Sequence, residues 1–186
     1  MAKIFAKFGV AGKDYKNTHA AAVETYTTNN CDLEKGKIYS TNLTFPDNPY
    51  NEDIKSAKTI FEIGFGVGRN VRWIMENTNA HFYGVEPNES MYIHFWHFND
   101  QKYKDRIHLY NSFDSIPKDV KFDVVFSTYV FQHIGYMPPE HIQNISDITN
   151  SIMNHTAKDT VWLLVEHDGE DDWIPRWFQT HNIKPQ

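Results

Sequence analysis

An apolar, β-prone run from Thr59 to Ile63 meets three glycines at alternate positions, Gly64, Gly66 and Gly68, and a helical pattern takes over after Arg69. This junction constrains the chain more than any other stretch. Glycine accepts positive φ and leaves no Cβ to block a molecule approaching the main chain. One helix length later a second apolar strand, His81 to Glu86, ends in an acid. A carboxylate at the tip of the next strand is placed to accept both hydroxyls of a ribose. Together the two segments describe a pocket for an adenosine-containing molecule.

Spacing narrows which molecule. A dinucleotide fingerprint reads G-x-G-x-x-G, its third glycine closing the helix onto the strand; here Arg69 takes that place. No G-x-x-x-x-G-K-[ST] phosphate loop occurs in the chain. Glu62 stands two positions before the first glycine, where it repels a pyrophosphate and attracts a cationic amino acid. Read as Glu62-Ile63-Gly64-Phe65-Gly66-Val67-Gly68, the segment resembles the first motif, E/D-x-G-x-G-x-G, of class I S-adenosylmethionine-dependent methyltransferases. The resemblance covers Thr59 to Glu166 and leaves both ends unassigned.

Alternation of strand and helix patterns points independently to βαβ units and an open parallel sheet. A helix is expected over Tyr15–Thr28, a loop over Asn29–Asp53, strand one at Thr59–Ile63 and a helix at Asn70–Asn77. Strand two is His81–Glu86, and Pro87 opens a helix running to about Tyr103. Strand three is Arg106–Tyr110, strand four the continuous apolar run Phe122–Ser127, followed by a helix at Glu140–Asn154 and strand five at Thr160–Glu166. The fold class is therefore α/β. The resemblance makes it Rossmann-like: a mostly parallel sheet in the order 3-2-1-4-5, with helices on both faces. Its family normally adds an antiparallel hairpin beyond strand five, and this sequence leaves little length for one. The expected organisation is one domain, with a helix and loop over residues 1–55 as a substrate lid and a cofactor-binding core over 56–168.

The resemblance also assigns roles. S-adenosyl-L-methionine is the implied cofactor, its amino-acid end held by Glu62, Gly64, Phe65, Gly66 and Gly68 and its ribose by Glu86. Pro87, with Asn88 and Met91, is expected on the adenine side. Ser112 and Phe113 are expected to hold the adenine, although many family members carry Asp in the place of Ser112, and Asp114 is an alternative. In FDVVFSTYVFQHIG, Asp123 opens the strand, and Ser127 and Thr128 are expected beside the methionine part. His133 is expected to orient an acceptor or act as its base, or else to brace the local turn. Tyr129, Phe131 and the N-terminal Tyr15, His19 and Tyr26 are candidates for the acceptor pocket, with His19 a second possible base.

Composition limits the partners. A net charge of −6 over 186 residues argues against duplex nucleic acid, which calls for a basic face. Cys31 is the single cysteine, so neither an internal disulfide nor a cysteine-based metal site is expected. His94 and His97 lack a third ligand, so no metal is expected there. MAKIFAKFGVAG does not read as a signal peptide, and no apolar run reaches the roughly 18 to 20 residues of a membrane span. A cytoplasmic protein with no membrane partner is expected. The sheet edge beyond strand five requires cover from Trp173 and Trp177 or from a second subunit, which makes a homodimer the expectation. The function implied is methyl transfer to a small-molecule acceptor by in-line displacement. Alternatives are methylation of protein or RNA, a binder or cleaver of the cofactor that transfers nothing, and, last, a nicotinamide-dependent oxidoreductase.

Overall fold

Strand β4 (Thr59–Ile63) is buried from its second residue to its last, as a central strand covered on both faces must be. Its parallel neighbours are β5 (His81–Val85) on one side and β7 (Phe122–Thr128) on the other. In this computed structural model, residues 3–10, 31–32, 37–38, 43–131 and 140–168 are described. The remaining strands are β1 (Lys3–Val10), β2 (Cys31–Asp32), β3 (Lys37–Ile38), β6 (Ile107–Tyr110) and β8 (Thr156–Asp168). Among the described residues the main sheet has six strands in the order β6-β5-β4-β7-β8-β1, while β2 and β3 form a separate antiparallel ribbon. All pairings of the main sheet are parallel. The helices are α1 (Asn51–Ser56), α2 (Val71–Asn77), α3 (Glu89–Phe98) and α4 (Glu140–Met153), with 3-10 turns at Gln101–Arg106 and Phe113–Ser115.

Side-chain alternation along these strands builds two cores. On one face Ile60, Phe82, Val124 and Leu163 pack with Ile54 of α1, Val71 and Ile74 of α2 and Phe95 of α3. On the other, Phe61, Val125, Trp162 and Leu164 pack with Ile145 and Ile152 of α4. Phe61 stacks on Phe122 at 4.6 Å between ring centroids and meets Phe113 edge-on at 6.2 Å. Asp123 clamps the amino ends of the two central strands. Its Oδ2 accepts from the N–H groups of Lys58 (2.7 Å) and Thr59 (3.0 Å), and its own N–H donates to Thr59 Oγ1 (3.0 Å). That end of the sheet lies opposite the glycine loop, so Asp123 holds register and stands away from the candidate site.

Reading the sheet from β6 gives the expected order 3-2-1-4-5, followed by one more strand. That strand corrects the sequence reading. The segment Lys3–Val10, read without secondary structure, lies parallel along β8 from Lys3 beside Val161 to Val10 beside Asp168. The edge beyond strand five is therefore covered by the chain's own N-terminal segment; Trp173 and Trp177 lie outside the described residues. Part of residues 1–55 thus belongs to the sheet, and Lys3 Nζ pairs with Asp53 of α1 at 2.6 Å. The expected loop 29–53 contains the β2–β3 ribbon and the start of α1. The helix expected to reach Tyr103 stops at Phe98 and resumes as a 3-10 turn, where Asp100 accepts from the N–H of Lys102 (2.9 Å). The helix expected over Tyr15–Thr28 falls outside the described residues. No helix among the described residues is long and apolar enough to cross a membrane.

Phe61, fully buried, tests the second core: Phe61→Ala is expected to cost about 3–5 kcal/mol of unfolding free energy in urea. A loss below about 1 kcal/mol would mean that this face is not packed as described.

Candidate cofactor site

Where the strand order reverses, β4 and β7 run side by side with Ile63 beside Ser127. A crevice opens at the carboxyl ends of such a pair, and open parallel sheets bind ligands there. The loop leaving β4 rises on one side of it and the tip of β7 on the other.

Gly64, Gly66 and Gly68 all have positive φ, at 66°, 56° and 84°. At Gly68 the demand is also spatial, since a Cβ would fall 2.5 Å from Phe95 Cε2 and nearer still to Asn99 Nδ2. The loop is tied directly to the end of β5. The Gly66 N–H donates to Glu86 Oε2 (2.9 Å) and the Asn88 N–H to Glu86 Oε1 (2.9 Å). Glu86 is 7% exposed, so both carboxylate oxygens are held in place by main-chain donors before any ligand arrives.

Glu62 lies beneath the loop, 1% exposed. Burial pushes its carboxyl up to about 8; the hydrogen bond from Asn70 and the charge of Arg69 pull it down, and the charge of Glu86 raises it further. Asn70 Nδ2 donates to Glu62 Oε1 (2.6 Å) and also to Thr128 Oγ1 (2.9 Å), linking the base of the loop to the tip of β7. Glu62 Oε2 and Asn70 Oδ1 are both buried without a hydrogen-bond partner among the described residues. Each such acceptor costs about 1–3 kcal/mol unless something supplies a donor. An ammonium group supplies donors and charge together, so this pair of acceptors fits the amino-acid end of S-adenosylmethionine.

Ser127 is fully buried at the end of β7, and Thr128 is half-buried beside Asn70. Tyr129 follows with φ 58°, the one non-glycine residue in the left-handed region among those described, and its ring is 36% exposed. Its N–H donates to Val165 O (2.7 Å), which holds the strained turn in place. Strain of this kind, of order 1–3 kcal/mol, persists where the surroundings over-determine it and often marks a working site.

Beside Glu86 opens a cleft of about 730 Å³ lined by Glu86, Pro87, Ile93, Tyr110, Asn111 and Ser115 among others. Pro87 stands at its wall. Met91 packs instead on Val67 and Phe98, and Tyr92 and Ile93 take the cleft side of α3. Ser112 is exposed next to this cleft, its Oγ 2.9 Å from Ser115 Oγ. The Phe113 ring leans on Phe61 in the second core, so it has a packing partner in the unliganded protein. The Phe65 ring turns down into the first core against Phe82, Tyr92 and Phe95, leaving its backbone as the part that belongs to the loop. His19 and His133 lie outside the described residues.

The sequence reading missed Asn70, Tyr110, Asn111, Ser115 and Ile93. Asn70 had a signal, being a polar residue directly after the glycine loop at the start of a helix. It reads there as a cap, yet its side chain caps nothing and spends its donors on Glu62 and Thr128.

Native Glu62 keeps its proton between its ordinary value of 4.5 and about 8, whereas the unfolded chain releases it near 4.5. The protonated side chain's contribution is therefore full below that ordinary value and is lost as pH rises toward 8. Urea unfolding is expected to show wild-type stability declining across this window relative to Glu62→Gln. Parallel profiles for the two proteins would show that the carboxyl titrates normally.

Comparison with known proteins meets this geometry. The family profile described as "Methyltransferase domain" matches residues 61–159. An S-adenosylmethionine-bound amino pentose methyltransferase of calicheamicin biosynthesis from Micromonospora echinaspora is similar in structure. Its TM-score is 0.55 at 14% identity, covering 87% of this chain and 61% of that one. An S-adenosylmethionine-dependent methyltransferase from Clostridium acetobutylicum gives a TM-score of 0.52 at 12% identity, covering 80% of this chain and 57% of that one. The chain thus spans about six-tenths of the length of these neighbours, and at such identities the likeness speaks for the fold. A search of curated proteins finds no match. With the family profile spanning more than half of the chain, and the glycine loop, Glu86 and the strand order in agreement, this protein belongs to the class I S-adenosylmethionine-dependent methyltransferase family.

Proposed function

We propose that this chain transfers a methyl group from S-adenosyl-L-methionine to a small-molecule acceptor. The observation that carries the reading is the hydrogen bond from Gly66 N–H to Glu86, which joins the two halves of the expected pocket in one rigid unit. When bound, the cofactor supplies an electrophilic sulfonium methyl, which an acceptor takes by in-line displacement.

The chain's own part is capture and alignment. Glu62 and Asn70 offer their free acceptor atoms to the cofactor's ammonium, the glycine loop presents main-chain N–H groups, and Glu86 directs its remaining lone pairs to the ribose hydroxyls. Pro87, Ser112 and Phe113 border the adenine, with Tyr110 and Asn111 from the cleft wall beside them. Phe65, Gly64 and Gly68 act through the path of the backbone. Ser127 and Thr128 flank the methionine part, and Tyr129 extends from the strained turn toward the acceptor side. His133 and His19 are proposed as the groups that orient the acceptor or take its proton. An acidic chain, with net charge −6, suits a small acceptor better than a nucleic acid. Its one cysteine, Cys31, suits a reducing cytoplasm. Pairing of two copies is part of the proposal, along the outer edge of β1, which carries no further strand among the described residues.

Calorimetry with S-adenosylmethionine, S-adenosylhomocysteine and NAD tests the cofactor, and a screen of acceptors with methyl-labelled cofactor tests the transfer. Both adenosyl ligands are expected to bind and NAD not to; binding of NAD alone would sink the reading. Glu86→Ala and Gly66→Val are each expected to weaken S-adenosylhomocysteine by about a hundredfold or more, at about 1.4 kcal/mol per tenfold, with far-ultraviolet circular dichroism unchanged. Unaltered affinity in both would remove the site. His133→Ala is expected to lower turnover with affinity for the cofactor retained, and full activity would return His133 to bracing its turn.

A further inference from the structure

Behind the glycine loop, directly after the last residue of α3, stands Asn99, which no step above employs. It is 7% exposed, and its Nδ2 donates to Val67 O (3.0 Å) and to Phe95 O (2.9 Å). Val67 lies between Gly66, whose N–H holds Glu86, and Gly68, whose missing Cβ lets Asn99 and Phe95 approach. Asn99 Oδ1 is buried with no partner among the described residues. Leaving a buried acceptor unsatisfied is unfavourable, so the side chain is placed there for its two donors. The residue also closes a mechanical circuit. Helix α3 begins just beyond the Glu86-Pro87-Asn88 corner and ends where Asn99 grips the back of the loop, so one rigid element braces both walls of the pocket.

We propose that Asn99 is a positioning residue: by tying Val67 O to the end of α3 it fixes the glycine loop in its binding shape and so sets affinity for the cofactor. The inference rests on the reading of this loop as the cofactor site. Asn99→Asp keeps the shape but turns both donors into acceptors facing carbonyl oxygens, and a protonated aspartate regains one donor. Asn99→Leu keeps the branched shape and number of side-chain heavy atoms, adds some volume, and offers neither donor nor charge.

By calorimetry with S-adenosylhomocysteine, Asn99→Asp is expected to bind about tenfold or more weakly than wild type at pH 8. That gap is expected to narrow as pH falls toward 5.5. Arg72, Glu76, His97, Asp100 and Lys102 line the cleft next to Asn99 and are common to both proteins, so their titration cancels in the ratio. Asn99→Leu is expected to show a similar loss with no narrowing, and faster amide exchange at Val67 and Gly68 in the unliganded protein. Should Asn99→Asp fail to fold, the leucine variant and the exchange rates decide. Wild-type affinity in Asn99→Leu, or unchanged exchange at the loop, overturns the proposal. Failure of wild type itself to bind would instead strike the cofactor reading, leaving the exchange measurement as the test of the tie.

Discussion

The parallel pairing of β4 with β7, in the register that sets Ile63 beside Ser127, is the constraint from which the rest follows. It brings the base of the glycine loop within one side chain's reach of the tip of β7. Only in that register can the single amide of Asn70 serve both Glu62 and Thr128. On the other flank, the pairing of β4 with β5 carries Glu86 to the loop's open side, where Gly66 N–H meets it. Two strand registers thus determine where both ends of a nucleoside ligand can be held. The amino end of the sheet secures the first of those registers, β4 with β7, through the Asp123 clamp.

Stability is unevenly spread as a result. The cores on either face are filled chiefly by phenylalanines, isoleucines and valines. The carboxyl ends of the strands concentrate the unfavourable features: a carboxyl buried against its preference for charge, amide and carboxylate oxygens without donors, and a tyrosine in left-handed backbone. Most of the broken local rules lie where a ligand is expected, with Asn48 Nδ2 and Thr149 Oγ1 as buried unsatisfied atoms elsewhere. A cationic ligand that lets Glu62 release its proton and supplies donors to its carboxylate would relieve part of this tension, so occupancy and folding are coupled through the same few atoms.

Much of the fold was legible because its signals are local. Thr59–Ile63 has the same bounds in the sequence reading and in the structure, and the strand after it differs by a single terminal residue. The glycines, Glu62 and Glu86 were legible for a related reason: each sits at a strand end, where residue type reports directly on backbone shape or ligand chemistry. What escaped was non-local. Lys3–Val10 carries lysines between short apolar groups and declares itself a strand only beside β8. Asn70 resembles a helix cap until Thr128, distant in sequence, is brought alongside. The choice of Ile93 over Met91 at the cleft depends on how α3 is rotated on the sheet, and its mixed pattern of aromatics and histidines does not define one apolar stripe.

The outermost strand also imposes an order on assembly. Among the described residues strand β1 pairs with β8 alone, the last of their strands in chain order, so its eight residues dock only after the other described strands of the sheet have been laid down. Contacts between such distant segments are slow to form, because a long loop must close before any of them is gained. Until that closure β8 presents an open rim, an invitation to mispair with another chain. Crowded or concentrated refolding should therefore fail at this seam first, long before the nucleoside crevice is disturbed.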